Sequence, residues 1–130
     1  MSIWKNVQVE TITLFAEDLP LAKKFYQDVF ELHPFYEDEN SAVLSFGNLN
    51  VNLLQIRQAP GLIDPAKVAG IEAGSRFQFT ILVDDVNAMC EALRKRGVSL
   101  LNGPIDRPWG RRTASFADPA GHIWEIAQDL

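Results

Sequence analysis

The sequence predicts an α+β fold of two tandem βαβββ modules that form a curved mixed sheet around a cleft. Three observations predict it. The segment TITLFAEDLPLAKKF, starting at Thr11, matches QFTILVDDVNAMCEA, starting at Gln78, at a constant offset of 67 residues. Both copies begin with the two-residue alternation of a strand and continue with the three- and four-residue spacing of a helix. Each copy is then followed by short strand-like runs separated by turn residues.

The length of the chain sets the number of domains. Its 130 residues can bury one core but not the cores of two large independent domains. We expect a single domain over residues 1–130, in which module one spans 5–57, a linker spans 58–75 and module two spans 76–130. The linker is rich in Pro, Gly and Ala and has no clear period, so an irregular segment with room for one helical turn is expected.

The first strand and helix of each module follow from the spacing of the apolar residues. Asp18 and Asp85 stand immediately before the two helix patterns, where a short carboxylate accepts hydrogen bonds from free backbone N–H groups. Both are expected to be structural caps. The helical spacing predicts two buried stripes, consisting of Ala22, Phe25, Tyr26, Val29 and Phe30 in module one and Val86, Met89, Cys90 and Leu93 in module two.

The remaining strands are predicted from short apolar runs between turn residues. In module one they are residues 33–37, 42–46 and 49–56, and in module two residues 98–101, 111–117 and 122–128. The last two of these are joined by the turn Asp118-Pro119-Ala120-Gly121. Each half therefore reads as βαβββ.

Composition and charge exclude several classes of protein. A formal net charge of −5 and scattered basic residues argue against nucleic-acid binding, which needs clustered Lys and Arg. No apolar run approaches the length of a membrane span, so no membrane partner is expected. The single cysteine, Cys90, permits no disulfide framework and no CxxC motif. A cytoplasmic protein is the expectation.

Three segments, ITLFAEDLPLAKKFY, FTILVDDVNAMCEALRKRGV and PWGRRTASFADPAGHIWEI, resemble the vicinal-oxygen-chelate superfamily. That superfamily groups glyoxalases, extradiol dioxygenases, and bleomycin- and fosfomycin-resistance proteins, and the resemblance covers nearly the whole chain. It implies paired βαβββ modules, usually in a homodimer. In the metalloenzymes of the superfamily it also implies a divalent ion, held by side chains on the first and last strands of each module.

The residues at the implied metal positions suit a metal poorly. They are Thr11, Gln78, Glu125 and either Asn52 or, with the hairpin shifted by one pair, Leu54. Transition metals prefer imidazole, thiolate or several carboxylates, and only Glu125 is such a ligand. The two histidines, His33 and His122, lie off these strands and are expected to be exposed or locally hydrogen-bonded. We predict no bound cofactor, and a divalent metal stays open as the alternative.

Strand alternation places a mostly neutral, polar set of side chains on the face away from the helices. Two asparagines on one strand are unusual, because asparagine is depleted in sheets. They indicate either a hydrated edge strand or amides that bind a ligand. The candidate ligand-binding residues are Thr11, Thr13, Asn50, Asn52, Gln78, Thr80, Trp109, Arg111, Thr113 and Ser115, with Phe15, Leu54, Leu82 and Ile123 beside them.

Glu125 is the candidate catalytic residue. It lies on a strand whose neighbours Trp124 and Ile126 face the core, so its carboxylate needs a partner. One interpretation is a general base that abstracts a proton beside a carbonyl group. The other is a structural salt bridge with Arg111 or Arg112.

Four more side chains have expected roles. Alternation directs Arg111 into the cavity, where it can hold an anionic group, and leaves Arg112 at the surface. Trp109 lies on a loop stiffened by Pro and Gly. It either stacks on a flat ligand, as in the bleomycin-binding proteins it resembles, or closes a dimer interface. Trp4 is expected to anchor the amino-terminal arm to a neighbouring module or subunit.

Three functions are consistent with this sequence. The first is a metal-independent small-molecule-binding protein that sequesters its ligand in the cleft of a homodimer. The second is a glyoxalase-like, metal-assisted lyase or isomerase, with Glu125 as base or ligand. The third is a dimeric interaction module without a ligand, in which Phe15, Leu54 and Leu82 plug the cleft.

Overall fold

The computed structural model describes residues 2–130 and confirms the two βαβββ modules. Module one contains β1 (Thr11–Ala16), α1 (Leu19–Phe30), β2 (Tyr36–Glu37), β3 (Ser41–Ser45) and β4 (Asn50–Gln55). The linker contains the short helix α2 (Pro60–Ile63). Module two contains β5 (Gln78–Leu82), α3 (Val86–Lys95), β6 (Asn102–Arg107), β7 (Arg111–Ala117) and β8 (Ile123–Asp129). None of the helices in residues 2–130 has the length and apolar character needed to cross a membrane.

The two modules have the same topology. Their sheets are separate, with strand orders β1-β4-β3-β2 and β5-β8-β7-β6. In each sheet the first strand lies parallel to the last, and the other neighbouring strands within residues 2–130 are antiparallel. Within the parallel pairs Thr13 lies opposite Asn52, and Thr80 lies opposite Glu125. Asn52 and Glu125 are therefore equivalent positions of the repeat.

The amino terminus of each long helix is tied down in the same way in both modules. Asp18 Oδ1 accepts a hydrogen bond from the N–H of Leu21 at 3.1 Å, and Asp85 Oδ1 accepts one from the N–H of Ala88 at 3.0 Å. The predicted caps are confirmed. A glutamine at the end of the last strand also serves each helix, since Gln55 Oε1 accepts from Leu19 N at 3.0 Å. Its counterpart in module two is the bond from Val86 N to Gln128 Oε1 at 2.9 Å.

The helix-facing sides of both sheets contribute to one apolar core. Aromatic rings connect the modules, because Phe30 of α1 packs on Trp124 of β8 with ring centroids 4.9 Å apart. The predicted helix stripes are buried or half-buried except for Met89, which is 37% exposed. Met89 lies at the margin of the stripe, whose other members Val86, Cys90 and Leu93 are buried. Burial raises the pKa of the Cys90 thiol, so this cysteine is a packing residue.

Two predicted strands begin in the wrong place. The predicted strand 98–101 is instead β6 at Asn102–Arg107. Val98 is buried and its N–H donates to Leu93 O. The start of the predicted strand therefore packs against the carboxyl end of α3. Pro104 is tolerated in β6 because this is an edge strand with an irregularity in its register. The predicted strand 33–37 shrinks to Tyr36–Glu37, since Pro34 has no N–H to donate.

The linker has more local structure than the sequence predicts. Besides α2 it contains a 3₁₀ turn at Ile71–Ala73, and another 3₁₀ turn, at Ile56–Gln58, joins module one to the linker. Its second half is bonded to both modules. Ile71 N donates to Glu17 Oε2 of module one at 3.1 Å, and Ser75 Oγ donates to Gly121 O of module two at 2.9 Å.

Gly103 gives the first prediction. Its φ is +98°, and a Cβ there would lie 2.5 Å from Thr113 O and 2.6 Å from Ala114 Cα. We expect Gly103→Ala to lower the free energy of unfolding by about 2 kcal/mol, measured by urea denaturation. The control is Gly47→Ala, where φ is +92° but nothing lies within 4 Å of the added Cβ. If both variants lose the same stability, close backbone approach at Gly103 plays no part.

Candidate functional site

The module-two face is the side of the second sheet that points away from α3. Glu125 lies near its centre, flanked by Thr80 on β5 and by Ser115 on β7. Thr80 Oγ1 donates a hydrogen bond to Glu125 Oε1 at 2.9 Å. Within residues 2–130, Glu125 Oε2 has no hydrogen-bonded partner. One carboxylate oxygen of a half-buried glutamate is therefore free to accept a hydrogen bond from a ligand.

The interpretation of Glu125 as a salt-bridge partner of Arg111 or Arg112 is wrong. Strand register places Arg111 opposite Asp129, and Arg111 Nε donates to Asp129 Oδ1 at 2.9 Å. Arg112 lies opposite Asp106 and donates to Asp106 Oδ1 at 2.7 Å. This guanidinium holds the pKa of Asp106 below its ordinary value. Each arginine already has its own carboxylate on a neighbouring strand.

Arg107 belongs to the module-two face and was not predicted. Its Nε donates to the buried Thr113 Oγ1 at 2.9 Å, and its guanidinium carbon lies 5.9 Å from the centre of the Trp109 ring. The indole of Trp109 is itself 66% exposed. The sequence predicts this strand at 98–101 and therefore leaves Arg107 outside it. The observed register of β6 puts Arg107 opposite Arg111 and on the same face.

The module-one face is the side of the first sheet that points away from α1, and it carries the predicted residues of that sheet. Thr11, Thr13 and Phe15 of β1 are half-buried, as are Asn50 and Asn52 of β4. The equivalence with Glu125 selects Asn52, rather than Leu54, as the counterpart on the last strand of module one.

Asn52 is distinguished by an unpaired atom. Its Oδ1 is buried and has no hydrogen-bond partner within the part of the chain that the structure describes. Leaving a buried polar atom unpaired costs about 1–3 kcal/mol. Native proteins rarely keep such atoms without a use, so this amide oxygen indicates a missing donor.

Two clefts show how far a single chain brings the predicted residues together. A seam cleft of about 280 Å³ lies between the modules and includes Gln78 and Thr80. A second cleft, of about 380 Å³, lies beside the linker and includes Thr13 and Phe15. The other predicted ligand-binding residues and Glu125 line neither of these clefts. The two faces stay separate because the modules pack through their helix-facing sides.

Comparison with known proteins identifies the family. Residues 8–126 match the model of the Glyoxalase/Bleomycin resistance protein/Dioxygenase superfamily. The chain belongs to this superfamily. It is 31% identical over 124 residues to YraH, an uncharacterized protein of Bacillus subtilis (strain 168), covering 92% of this chain and 96% of that protein.

Solved structures of the superfamily share the fold. A glyoxalase/bleomycin resistance protein/dioxygenase from Nocardioides superposes with a TM-score of 0.85 at 20% identity, covering 97% of this chain and 85% of that one. A lactoylglutathione lyase from Agrobacterium tumefaciens gives a TM-score of 0.74 at 21% identity, covering 95% of both chains. At these identities the likeness establishes the architecture alone.

The metal positions of the superfamily do not fit a metal in this chain. They are occupied by Thr11, Asn52, Gln78 and Glu125, which supply one carboxylate, one hydroxyl and two amides. Among residues 2–130 there is no group of three or more His, Cys, Asp or Glu side chains that converge on one point. Divalent transition metals need more anionic or imidazole ligands than this set offers.

A buried hydrogen-bond network around Asp118 was also missed at the sequence level. Asp118 Oδ2 accepts from Tyr26 Oη at 2.6 Å and lies 2.9 Å from His122 Nδ1. Asp118 Oδ1 accepts from the backbone N–H groups of Ala120 at 3.0 Å and His122 at 2.8 Å. Trp124 Nε1 donates to Tyr26 Oη at 3.1 Å. His122 is thus locally hydrogen-bonded, and His33 is exposed, as predicted.

Proposed function

We propose that this protein is a cytoplasmic, metal-independent binding protein for a small polar molecule, and that it binds its ligand between the faces of two copies in a homodimer. The observation that carries the proposal is the buried, unpaired Oδ1 of Asn52. A ligand N–H or O–H would satisfy it. The fold is shared with enzymes and resistance proteins alike, so the site alone supports this choice.

The polar groups of the two faces specify the ligand. Asn52 Oδ1 and Glu125 Oε2 both accept hydrogen bonds, and therefore favour a molecule with at least two N–H or O–H donors. Trp109 offers an indole that is 66% exposed. An exposed indole favours a flat ligand, which can stack on the ring.

Exposed apolar residues support the homodimer. On or beside the module-two face, Leu82 is 60% exposed and Trp109 is 66% exposed. In the amino-terminal arm Trp4 is 72% exposed. The outer edges of β1 and β5 are also left unpaired by their sheets. A second copy that brings its module-one face over this module-two face would cover these groups and close the cleft.

Asn52→Leu tests the proposed role of the amide. Removing an unpaired buried polar group is expected to raise the free energy of unfolding of the ligand-free protein by about 1–2 kcal/mol. The same change should abolish ligand binding. Thermal denaturation measures the first effect, and the matched control is Asn87→Leu on the exposed surface of α3. A variant less stable than wild type would mean that the Asn52 amide stabilises the ligand-free protein, and would contradict its proposed role as a ligand acceptor.

The ligand is sought with the chelator-treated protein. A library of flat compounds carrying two or more N–H or O–H donors is screened by thermal shift against wild type and Asn52→Leu, and sedimentation gives the oligomeric state. A compound that raises the melting temperature of wild type alone supports the proposal, because a ligand that binds only the folded state stabilises it. If the protein is monomeric and no compound raises its melting temperature, the proposed function is wrong.

The free oxygen of Glu125 supports a second candidate, a glyoxalase-like lyase or isomerase in which Glu125 is the base. Thr80 donates to Oε1, and among the described residues none donates to Oε2. This function predicts that nickel, zinc, manganese or iron binds more tightly than about 1 mM, and that Glu125→Ala abolishes that binding. Titration of the chelator-treated protein decides between the two functions.

A further inference from the structure

The second cleft, which we call the linker cleft, has no role in the function proposed above. Its volume is about 380 Å³, which is within the range of small-molecule sites. It lies between β1, the second half of the linker and the turn that follows β7. The residues that matter for its chemistry are Glu17, Lys67, Ile71, Arg76, Phe77 and His122.

The lining of the linker cleft is positively charged in a chain whose net charge is −5. Lys67 and Arg76 both line it, and within residues 2–130 neither forms a salt bridge or a side-chain hydrogen bond. Every other arginine in that range donates to a protein acceptor: Arg57, Arg94, Arg96, Arg107, Arg111 and Arg112. Arg76 is thus the exception, and its guanidinium is available to an anion.

The acidic member of the lining does not neutralise these cations. Glu17 Oε2 accepts the hydrogen bond from Ile71 N at 3.1 Å, which holds the linker against module one. No salt bridge joins Glu17 to Lys67 or Arg76 within the described residues. The carboxylate fixes the wall of the cleft and leaves its positive charges to a ligand.

His122 adds a fixed polar group. Its side chain is 16% exposed, and Asp118 holds its Nδ1 at 2.9 Å. With Nδ1 directed to the buried carboxylate, Nε2 is the ring nitrogen left for a ligand. The buried network therefore orients an imidazole on the wall of the linker cleft.

The remaining lining is apolar. Phe77 is 52% exposed and Ile71 is 51% exposed, and Phe15 and Ile63 also line the cleft. Exposed aromatic and branched side chains beside Lys67 and Arg76 match a molecule with an anionic end and an apolar body.

We propose that the linker cleft binds a small carboxylic acid with an aromatic or branched apolar body, whose carboxylate contacts Arg76 and Lys67 and whose body packs on Phe77 and Ile71. This site borders the module-one face, with which it shares Thr13 and Phe15, but it is centred on the linker. Neither Asn52 nor Glu125 lines it.

Calorimetry with three ligands of one shape tests the charge preference: phenylacetate, the neutral phenylacetamide and the cationic benzylamine. Phenylacetate is expected to bind at least about tenfold more tightly than phenylacetamide, since charge-assisted hydrogen bonds contribute more than neutral ones. Benzylamine should not bind. No saturable binding of phenylacetate below about 10 mM, or equal affinity for the amide, would overturn the proposal.

Two variants locate the site. Arg76→Gln is expected to weaken phenylacetate binding by about tenfold or more. The matched control is Arg94→Gln on α3, whose arginine pairs with Glu91, and it should leave the affinity unchanged. Equal effects of the two changes would show a nonspecific charge effect and overturn the assignment. Asn52→Leu should keep phenylacetate binding. Loss of the proposed ligand site on the two faces and loss of the linker-cleft site are therefore distinguishable.

Discussion

Replacement of Asp118 by alanine is expected to lower the free energy of unfolding by about 4 kcal/mol. The side chain of Asp118 is 1% exposed and satisfies four donors. Two are the side chains of Tyr26 and His122, and two are the backbone N–H groups of Ala120 and His122. Alanine leaves all of them without their protein acceptor, at a position where the native side chain is only 1% exposed.

Urea denaturation followed by circular dichroism measures this loss, and two further variants make it specific. Asp118→Asn keeps an amide oxygen for the backbone donors, so about half of the loss is expected. Asp106→Ala removes the partner of Arg112 from the surface, where the side chain of Asp106 is 58% exposed, and should cost less than about 1 kcal/mol. A loss as small as this in Asp118→Ala would mean that the network contributes little to stability.

The duplicated fold is readable from the sequence because its evidence is local. Two-residue alternation and the helix caps Asp18 and Asp85 are visible within windows of about 15 residues, and matching two such windows gives the offset of 67 residues between the copies. The boundary of β6 is not readable in this way. Val98 is apolar because it covers the end of α3, and an apolar run has the same appearance in a strand and in a helix stop.

The candidate site was predictable as a set of side chains on the helix-free face of each sheet, but not as a set of contacts. Alternation gives the direction of Glu125 and Asn52, whereas their partners depend on strand register. Register pairs Arg111 with Asp129 and leaves Thr80 for Glu125. The unpaired state of Asn52 Oδ1 is a property of three-dimensional packing and has no signature in the sequence.

The Asp118 network and Arg76 escaped the sequence analysis for a related reason. Asp118 stands in a turn with Pro and Gly, where an aspartate is ordinary. Its partner Tyr26 is 92 positions away. Arg76 is one basic residue among many, and only the complete map of hydrogen bonds in residues 2–130 shows that it is left without an acceptor.

The second large effect is a loss of stability at alkaline pH. Burial, reinforced by the neighbouring Asp118 carboxylate, raises the pKa of Tyr26 far above the ordinary value of 10.0. Above pH 10 the unfolded chain therefore releases the phenol proton while the folded chain retains it. The unfolded state then binds fewer protons, so the free energy of unfolding is complete below pH 10 and falls as the pH rises, by about 1.4 kcal/mol per pH unit. The loss should reach about 3 kcal/mol at pH 12.

The comparison of wild type with Tyr26→Phe isolates this effect. Urea denaturation at intervals from pH 8 to 12 should show a steep decline in wild type and a shallower one in Tyr26→Phe, because the lysines titrate equally in both. Tyr36→Phe is the matched control. The hydrogen bond to Asp38 also raises the pKa of Tyr36, but this phenol is exposed at the surface, so Tyr36→Phe should change the decline much less than Tyr26→Phe does. Parallel pH profiles for wild type and Tyr26→Phe would mean that the folded chain opens around Tyr26 and releases its proton as readily as the unfolded chain does.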